Sequence, residues 1–283
     1  MDAFSCLLDS NNDMEGFKPI VCNDLHISHL LYTDDVLVFF GEASLNNCTS
    51  LNEIMDTFAK SSGLQVNHGK SSLILHRNSL IANDICASLG IPTFSYKVTN
   101  LGLPIFIKRA HLSDFSPLLD VISNKLSGWK AKSLYFAGRF QFFKFTIWNT
   151  IAYWIRGAII PKTCYKQLNK LCSRFLFSGD INVKKMHLIS WVKTCKPRTK
   201  WGLGLPTFDA LRFAFDCSLI CRIYNYPSLL SHWLFNTYCS PWKLVTRDVS
   251  PMWKSITGTI FKAKNNFCFT TMANCNISLY WDP

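Results

Sequence analysis

Two apolar runs, 26–31 and 36–40, flank the polar step Tyr32-Thr33-Asp34-Asp35. Runs of this length and make-up read as short strands, and the step between them as a tight turn. The pattern demands a hairpin with buried flanks and two adjacent carboxylates at its tip. Neighbouring side chains on a straight strand point to opposite faces. At a hairpin tip that alternation relaxes, and both carboxylates can approach one point. Mg²⁺ is held by one or two carboxylates plus substrate phosphates, so an acidic tip suits a phosphoryl-transfer metal site. The alternative is a plain polar β-turn.

The surrounding pattern is mixed. Residues 1–10 read as the end of a helix and 17–21 as a short strand. Residues 44–62 place Leu45, Leu51, Ile54, Met55 and Phe58 on one helical face, with Gly63 as the stop. A strand at 73–76 and a helix at 79–89, ended by Gly90, complete an α+β pattern with a small, mostly antiparallel sheet. After Pro104 the character changes. Segments 112–129, 138–156 and 162–177 have helical periodicity with basic residues on one side, and Pro161 opens the third where proline is tolerated. A turn-rich connector at 197–206 holds Gly202 and Gly204, and 208–224 reads as a further helix. Residues 225–283 carry many aromatics and no clear periodic element. The most apolar stretch, 140–160, is interrupted by Lys144 and Arg156 and falls short of the ~20 uncharged residues of a membrane span. It reads as a core helix, so no membrane partner is expected.

Charge divides the chain sharply. Formal net charge is +12, yet residues 1–100 carry 5 Lys/Arg against 11 Asp/Glu, whereas 101–223 carry 20 against 5. Such a basic block implies a polyanionic partner, most simply nucleic acid; solvated helix faces are the alternative. Lys125, Lys130, Lys132, Arg139 and Lys144 surround Trp129, Tyr135 and Phe140. Cations beside aromatics hold nucleic acid without sequence preference. The aromatics are expected in the core and the cations on the nucleic-acid side. Twelve Cys occur with no Cys-x-x-Cys pair and no secretory signal. That usage fits mostly buried, reduced thiols of an intracellular protein. Cys217 and Cys221 lack a companion His pair for zinc, and His26 and His29 sit three apart on a strand, a poor chelate.

Several ordered motifs resemble a known family. HISHLLYTDDVLVFF at 26–40, SGLQVNHGKSSLI at 62–74, NLGLPIF at 100–106, LSGWKAKSLYFAGRFQFFKFTIWNTIAYW at 126–154, CSRFLFSGD at 172–180 and WGLGLP at 201–206 together resemble the reverse transcriptase of plant non-LTR (LINE-type) retrotransposons. Thr33 stands where that family has Ala, and Trp201 where it has Gly. The resemblance implies a partial palm with a small antiparallel sheet over 1–107, a helical thumb-like region over 108–196, and a helical connection over 197–283 that approaches a zinc-binding segment outside the chain.

The same resemblance implies site roles. Asp34 would be the principal ligand of Mg²⁺ or Mn²⁺ and Asp35 an auxiliary one. Tyr32 would pack beside a primer end, and Lys70 would lie near the triphosphate. RNA template and DNA primer would be the partners in RNA-directed DNA synthesis. The family's other metal-binding Asp belongs upstream of Met1, so the chain alone is expected to be inactive. An unpaired apolar sheet edge is expected to favour self-association. The other expectations are a catalytically dead, basic nucleic-acid-binding module, or a non-functional remnant of a decayed element.

Overall fold

The computed structural model describes residues 2–10, 16–22, 24–75, 81–92, 94–106, 110–128, 133–184, 189–243 and 249–268. Contacts divide the chain into two compact units, Met1–Arg109 and Ala110–Pro283.

Among its described residues the first unit mixes short strands with three helices. α1 (Asp2–Ser10) precedes β1 (Ile20–Cys22) and β2 (Leu25–Ile27), which pair antiparallel. The apolar run expected as one strand is split at Ser28. That residue is buried, its Oγ donates to Asp9 Oδ1 at 2.9 Å, and its carbonyl accepts from the Phe39 N–H at 2.8 Å. β3 (His29–Tyr32) and β4 (Asp35–Val38) then form the hairpin, with Tyr32 opposite Asp35. His29 Nε2 lies 2.6 Å from Ser5 Oγ and Nδ1 lies 2.7 Å from Ser28 Oγ, so this imidazole fastens α1 to β3.

α2 (Leu45–Ser62) begins and ends on local signals. Ser44 Oγ accepts from the Asn47 N–H, and Gly63 closes the helix at φ 73°. Asn47 is buried but satisfied: its side chain exchanges hydrogen bonds with both main-chain groups of Lys18 and donates to Glu42 O. β5 (Leu73–Ile74) pairs parallel with β6 (Phe94–Ser95) across α3 (Ala82–Leu89). β7 (Lys97–Asn100) and β8 (Leu103–Phe106) form a second hairpin about Leu101 and Gly102, both at positive φ. The small sheet expected from the sequence is thus four separate two-stranded pairs among the described residues, three antiparallel and one parallel. Phe4, Leu8, Phe17, Leu51, Ile54 and Ile85 form the core, with the hairpin residues Leu31, Val36 and Val38 packed on it.

The second unit is helical among the described residues. A 3₁₀ turn (Leu112–Phe115) leads into α4 (Ser116–Ser127). α5 (Phe136–Phe142), a π-helical turn (Phe143–Ile147) and α6 (Trp148–Gly157) run on without a break. α7 (Lys162–Ser178) starts after Pro161 and stops at Gly179, φ 76°. A short α8 (Trp191–Thr194) precedes the connector, and α9 (Phe208–Asn225) follows it. Residues 225–283, unreadable from periodicity, hold α10 (Leu229–Tyr238) and α11 (Pro251–Ala263). Two of their aromatics are core, Trp242 and Trp253, which pack with Ile220, Leu234, Ile256 and Ile260, whereas Tyr226 and Phe261 are exposed. Among the described residues, no helix is long and apolar enough to cross a membrane.

The cysteines divide more evenly than expected. Of the eleven described, Cys48, Cys86, Cys164, Cys172 and Cys195 are buried, and Cys6, Cys221, Cys239 and Cys268 are exposed. Burial pushes the Cys164 and Cys195 thiols up to about 11 and raises Cys172 as well, which makes these three poor nucleophiles.

Candidate nucleic-acid interface

The hairpin tip carries its carboxylates as expected, on strained backbone. Thr33 and Asp34 form the two-residue loop, and Tyr32, Thr33, Asp34 and Asp35 are all exposed. Thr33 sits at φ 51°, a region that β-branched residues rarely enter. Left-handed backbone costs an L-residue about 1–2 kcal/mol, and glycine returns part of that gain through its looser unfolded chain. Thr33→Gly is therefore expected to stabilise the first unit by about 0.5–1 kcal/mol, read as a higher urea midpoint at unchanged slope. A lower midpoint would refute the strain.

Two adjacent carboxylates supply at most a part of the six oxygen ligands that Mg²⁺ demands. Among the described residues, no group of three or more His, Cys, Asp or Glu side chains is arranged to hold a metal ion. Lys70 is exposed on a different turn, where its main-chain N–H donates to Asn67 O at 3.0 Å and Asn67 Oδ1 at 3.1 Å.

The second unit concentrates the positive charge. Residues 110–283 carry 23 Lys/Arg against 7 Asp/Glu, a net of +16. The continuous helix 136–157 displays part of that charge. Phe143, Ile147, Ile151 and Ile155 recur every fourth residue and are fully buried. Gln141, Phe145, Asn149 and Tyr153 follow the same spacing and are exposed. The two rows are two residues out of phase, about 200° around an α-helix, so burying one puts the other in solvent. The wider π turn offsets part of the drift of about 40° per four residues that an i, i+4 row has in an α-helix.

This exposed row is flanked by cations. Lys144 is exposed, with Nζ 5.4 Å from the Phe145 ring centroid. Arg156 is exposed, and its guanidinium stacks 4.5 Å from the Phe215 ring centroid. Lys125, in the last turn of α4, donates from Nζ to Thr150 Oγ1 at 2.8 Å and remains exposed. Lys125 and Lys144 thus reach solvent as expected. Trp129, Lys130 and Lys132 lie outside the described residues.

Arg139 has a structural task that the sequence did not reveal. Its Nε donates to Leu134 O at 3.1 Å, and Nη1 donates to Phe175 O and Leu176 O at 3.3 and 3.0 Å. The last two are carbonyls at the C-terminal end of α7; Phe175 O also accepts from the Gly179 N–H at 2.9 Å, so Arg139 adds a second donor there and supplies one at Leu176 O. Arg139 therefore ties α5 to the end of α7. The aromatics also divide differently from the expectation of a uniformly buried set. Phe143 is in the core, Phe140 is half-buried, Tyr135 is 88% exposed and Phe145 63%. Phe145, Tyr153 and Arg156 were not singled out from sequence as interface residues, although the i, i+4 row opposite the apolar row was the signal for the first two.

Comparison with known proteins bears on these roles. No family model matches the chain. Over 103 residues, 36% of its length, the chain is 31% identical to a protein of Arabidopsis thaliana described as a "putative ribonuclease H protein"; that stretch is 17% of the relative's own length. The similarity is thus to a protein named for a nucleic-acid-related activity. The expectation of a LINE-type reverse transcriptase is corrected by these findings: no family model supports it, and the relative is named for ribonuclease H. The motif strings were short and local, and resemblance at that scale follows turn chemistry and apolar spacing as readily as descent. The roles assigned to Tyr32 and Lys70 rested on that resemblance, whereas Asp34 and Asp35 were singled out first by the acidic hairpin tip itself.

Proposed function

We propose that this chain binds nucleic acid through its basic helical unit, without sequence preference. The observation that carries this reading is the exposed face of the helix 136–157, where Phe145 and Tyr153 alternate with Lys144 and Arg156 on a unit of net charge +16. Cations on such a face pair with phosphates, and exposed rings lie against bases or sugars. The relative named for ribonuclease H supports the same broad class of partner.

Binding is expected to be strongly salt-dependent. With about four phosphate contacts, affinity falls on the order of 100-fold between 50 and 200 mM salt, because each neutralised phosphate releases counterions. Lys144→Gln is expected to lower the slope of log K against log[salt] by about 0.7–0.9. Phe145→Ala is expected to weaken binding with the slope unchanged. Fluorescence anisotropy on labelled DNA and RNA measures all three. A flat salt response, or no binding at low salt, would remove the proposal.

A further inference from the structure

A second basic and aromatic element lies in the connector before α9. Residues 194–204 fold back on themselves around a 3₁₀ turn (Arg198–Lys200) that follows Pro197. Leu203 N–H donates to Thr194 O at 2.8 Å and Gly204 N–H to Lys196 O at 2.9 Å, so the two arms of the loop are bonded to each other. Within the turn, Lys200 and Gly202 N–H groups both donate to Pro197 O, at 2.8 and 3.1 Å. At Gly202 a Cβ would stand 1.9 Å from Lys196 O, so no other residue allows the arms to approach this closely.

This closed loop holds Trp201 out into solvent. The residue is 99% exposed and sits at φ 60°, where a bulky side chain is an outlier. An indole left unburied forfeits a large apolar area. Left-handed backbone adds strain of the kind that gathers at binding sites. Around it Lys193, Lys196, Arg198 and Lys200 are all exposed, and no acidic residue occurs between Asp180 and Asp209.

We infer that this loop is a stacking site for an unpaired base of single-stranded nucleic acid, with Trp201 on the base face and the neighbouring cations on the adjacent phosphates. The inference rests on the nucleic-acid-binding reading above and adds strand selectivity to it. A single strand offers both a π face and phosphates within reach of such a loop, whereas a duplex hides the faces in its stack. The hydrogen bonds across the loop hold its main chain in the presenting shape, so the rotation of the indole is what binding has left to order.

The test uses the full chain and fluorescence anisotropy on a mixed-sequence single strand of about 12 nucleotides, within the span such sites cover, and on the matching duplex. Trp201→Gly is expected to weaken single-strand binding by about 5- to 150-fold, the range for loss of one aromatic–base stack, and to leave duplex binding unchanged. Because glycine relieves the left-handed strain, its Tm is expected at or above that of the parent chain. Trp201→Phe is expected to keep most of the affinity. Lys200→Gln is expected to lower the single-strand salt slope by about 0.7.

Unaltered single-strand binding by Trp201→Gly overturns the inference, as does an equal loss on strand and duplex. A Tm well below the parent's would also overturn it, by assigning the indole a structural role. So would Trp201-dependent binding of anionic phospholipid vesicles with strand binding unmoved. If the parent chain binds neither strand nor duplex at low salt, the nucleic-acid reading itself fails. If it binds both with steep salt dependence and Trp201→Gly changes nothing, only the stacking site fails.

Discussion

Asp216→Ala is expected to lower the unfolding free energy of the basic unit by about 3–5 kcal/mol, the cost of breaking a buried ion pair from one side. Asp216 is 2% exposed in the middle of α9. Arg212 Nε stands 2.9 Å from Oδ1, one helical turn away, with its N–H not aligned for a hydrogen bond. Oδ2 accepts from Thr259 Oγ1 at 2.9 Å and from Ser255 Oγ at 3.3 Å, both on α11. Arg212 Nη1 donates to Ile155 O at 3.0 Å, near the end of α6. One carboxylate and its partner thus join three helices. Removing the carboxylate strands a half-buried guanidinium and takes the acceptor from two hydroxyls. The double variant Arg212→Met/Asp216→Leu is expected to regain most of the loss, since well-packed apolar replacements of such pairs are often neutral. Urea unfolding of the three proteins decides it; a loss below about 1 kcal/mol for Asp216→Ala would mean the carboxylate is solvated.

A second large effect is expected at Phe143. Its side chain is fully buried, with ring centroids 4.7 Å from Trp148 and 5.8 Å from Trp191. Phe143→Ala is expected to cost about 3–5 kcal/mol through lost burial and the cavity left among those rings. Phe145, two positions on, is exposed, and Phe145→Ala is expected to stay within about 0.5 kcal/mol of the parent while weakening nucleic-acid binding. Comparable stability losses at the two positions would contradict the opposed rows of the helix 136–157. Equal stability with intact binding in Phe145→Ala would remove that ring from the interface.

Much of the local structure was legible before any coordinates. The hairpin at 29–38 follows from two apolar runs and a polar step. The stops of α2 and α3 and the start of α7 follow from Gly63, Gly90 and Pro161, whose effects act within a few residues of backbone. The hairpin of β7 and β8 was not legible, because it turns on Leu101 and Gly102 and Leu is an uncommon residue at positive φ. Nor was the parallel pairing of β5 with β6, which depends on where α3 returns the chain. At the candidate interface, Lys125 and Lys144 were legible as solvent-facing cations. Arg139 was not, since the carbonyls it caps lie 36 and 37 residues away.

By itself the sequence determined the segregation of charge, the acidic hairpin tip and the helix ends at Gly63, Gly90 and Pro161, because each depends on composition or on neighbours a turn away. Tertiary structure alone decided which of two neighbouring phenylalanines faces solvent, which arginine is tied to a helix end, and that Trp201 stands free on a closed loop. Those outcomes depend on partners distant in sequence, and burial is a property of the packed whole that no single stretch encodes.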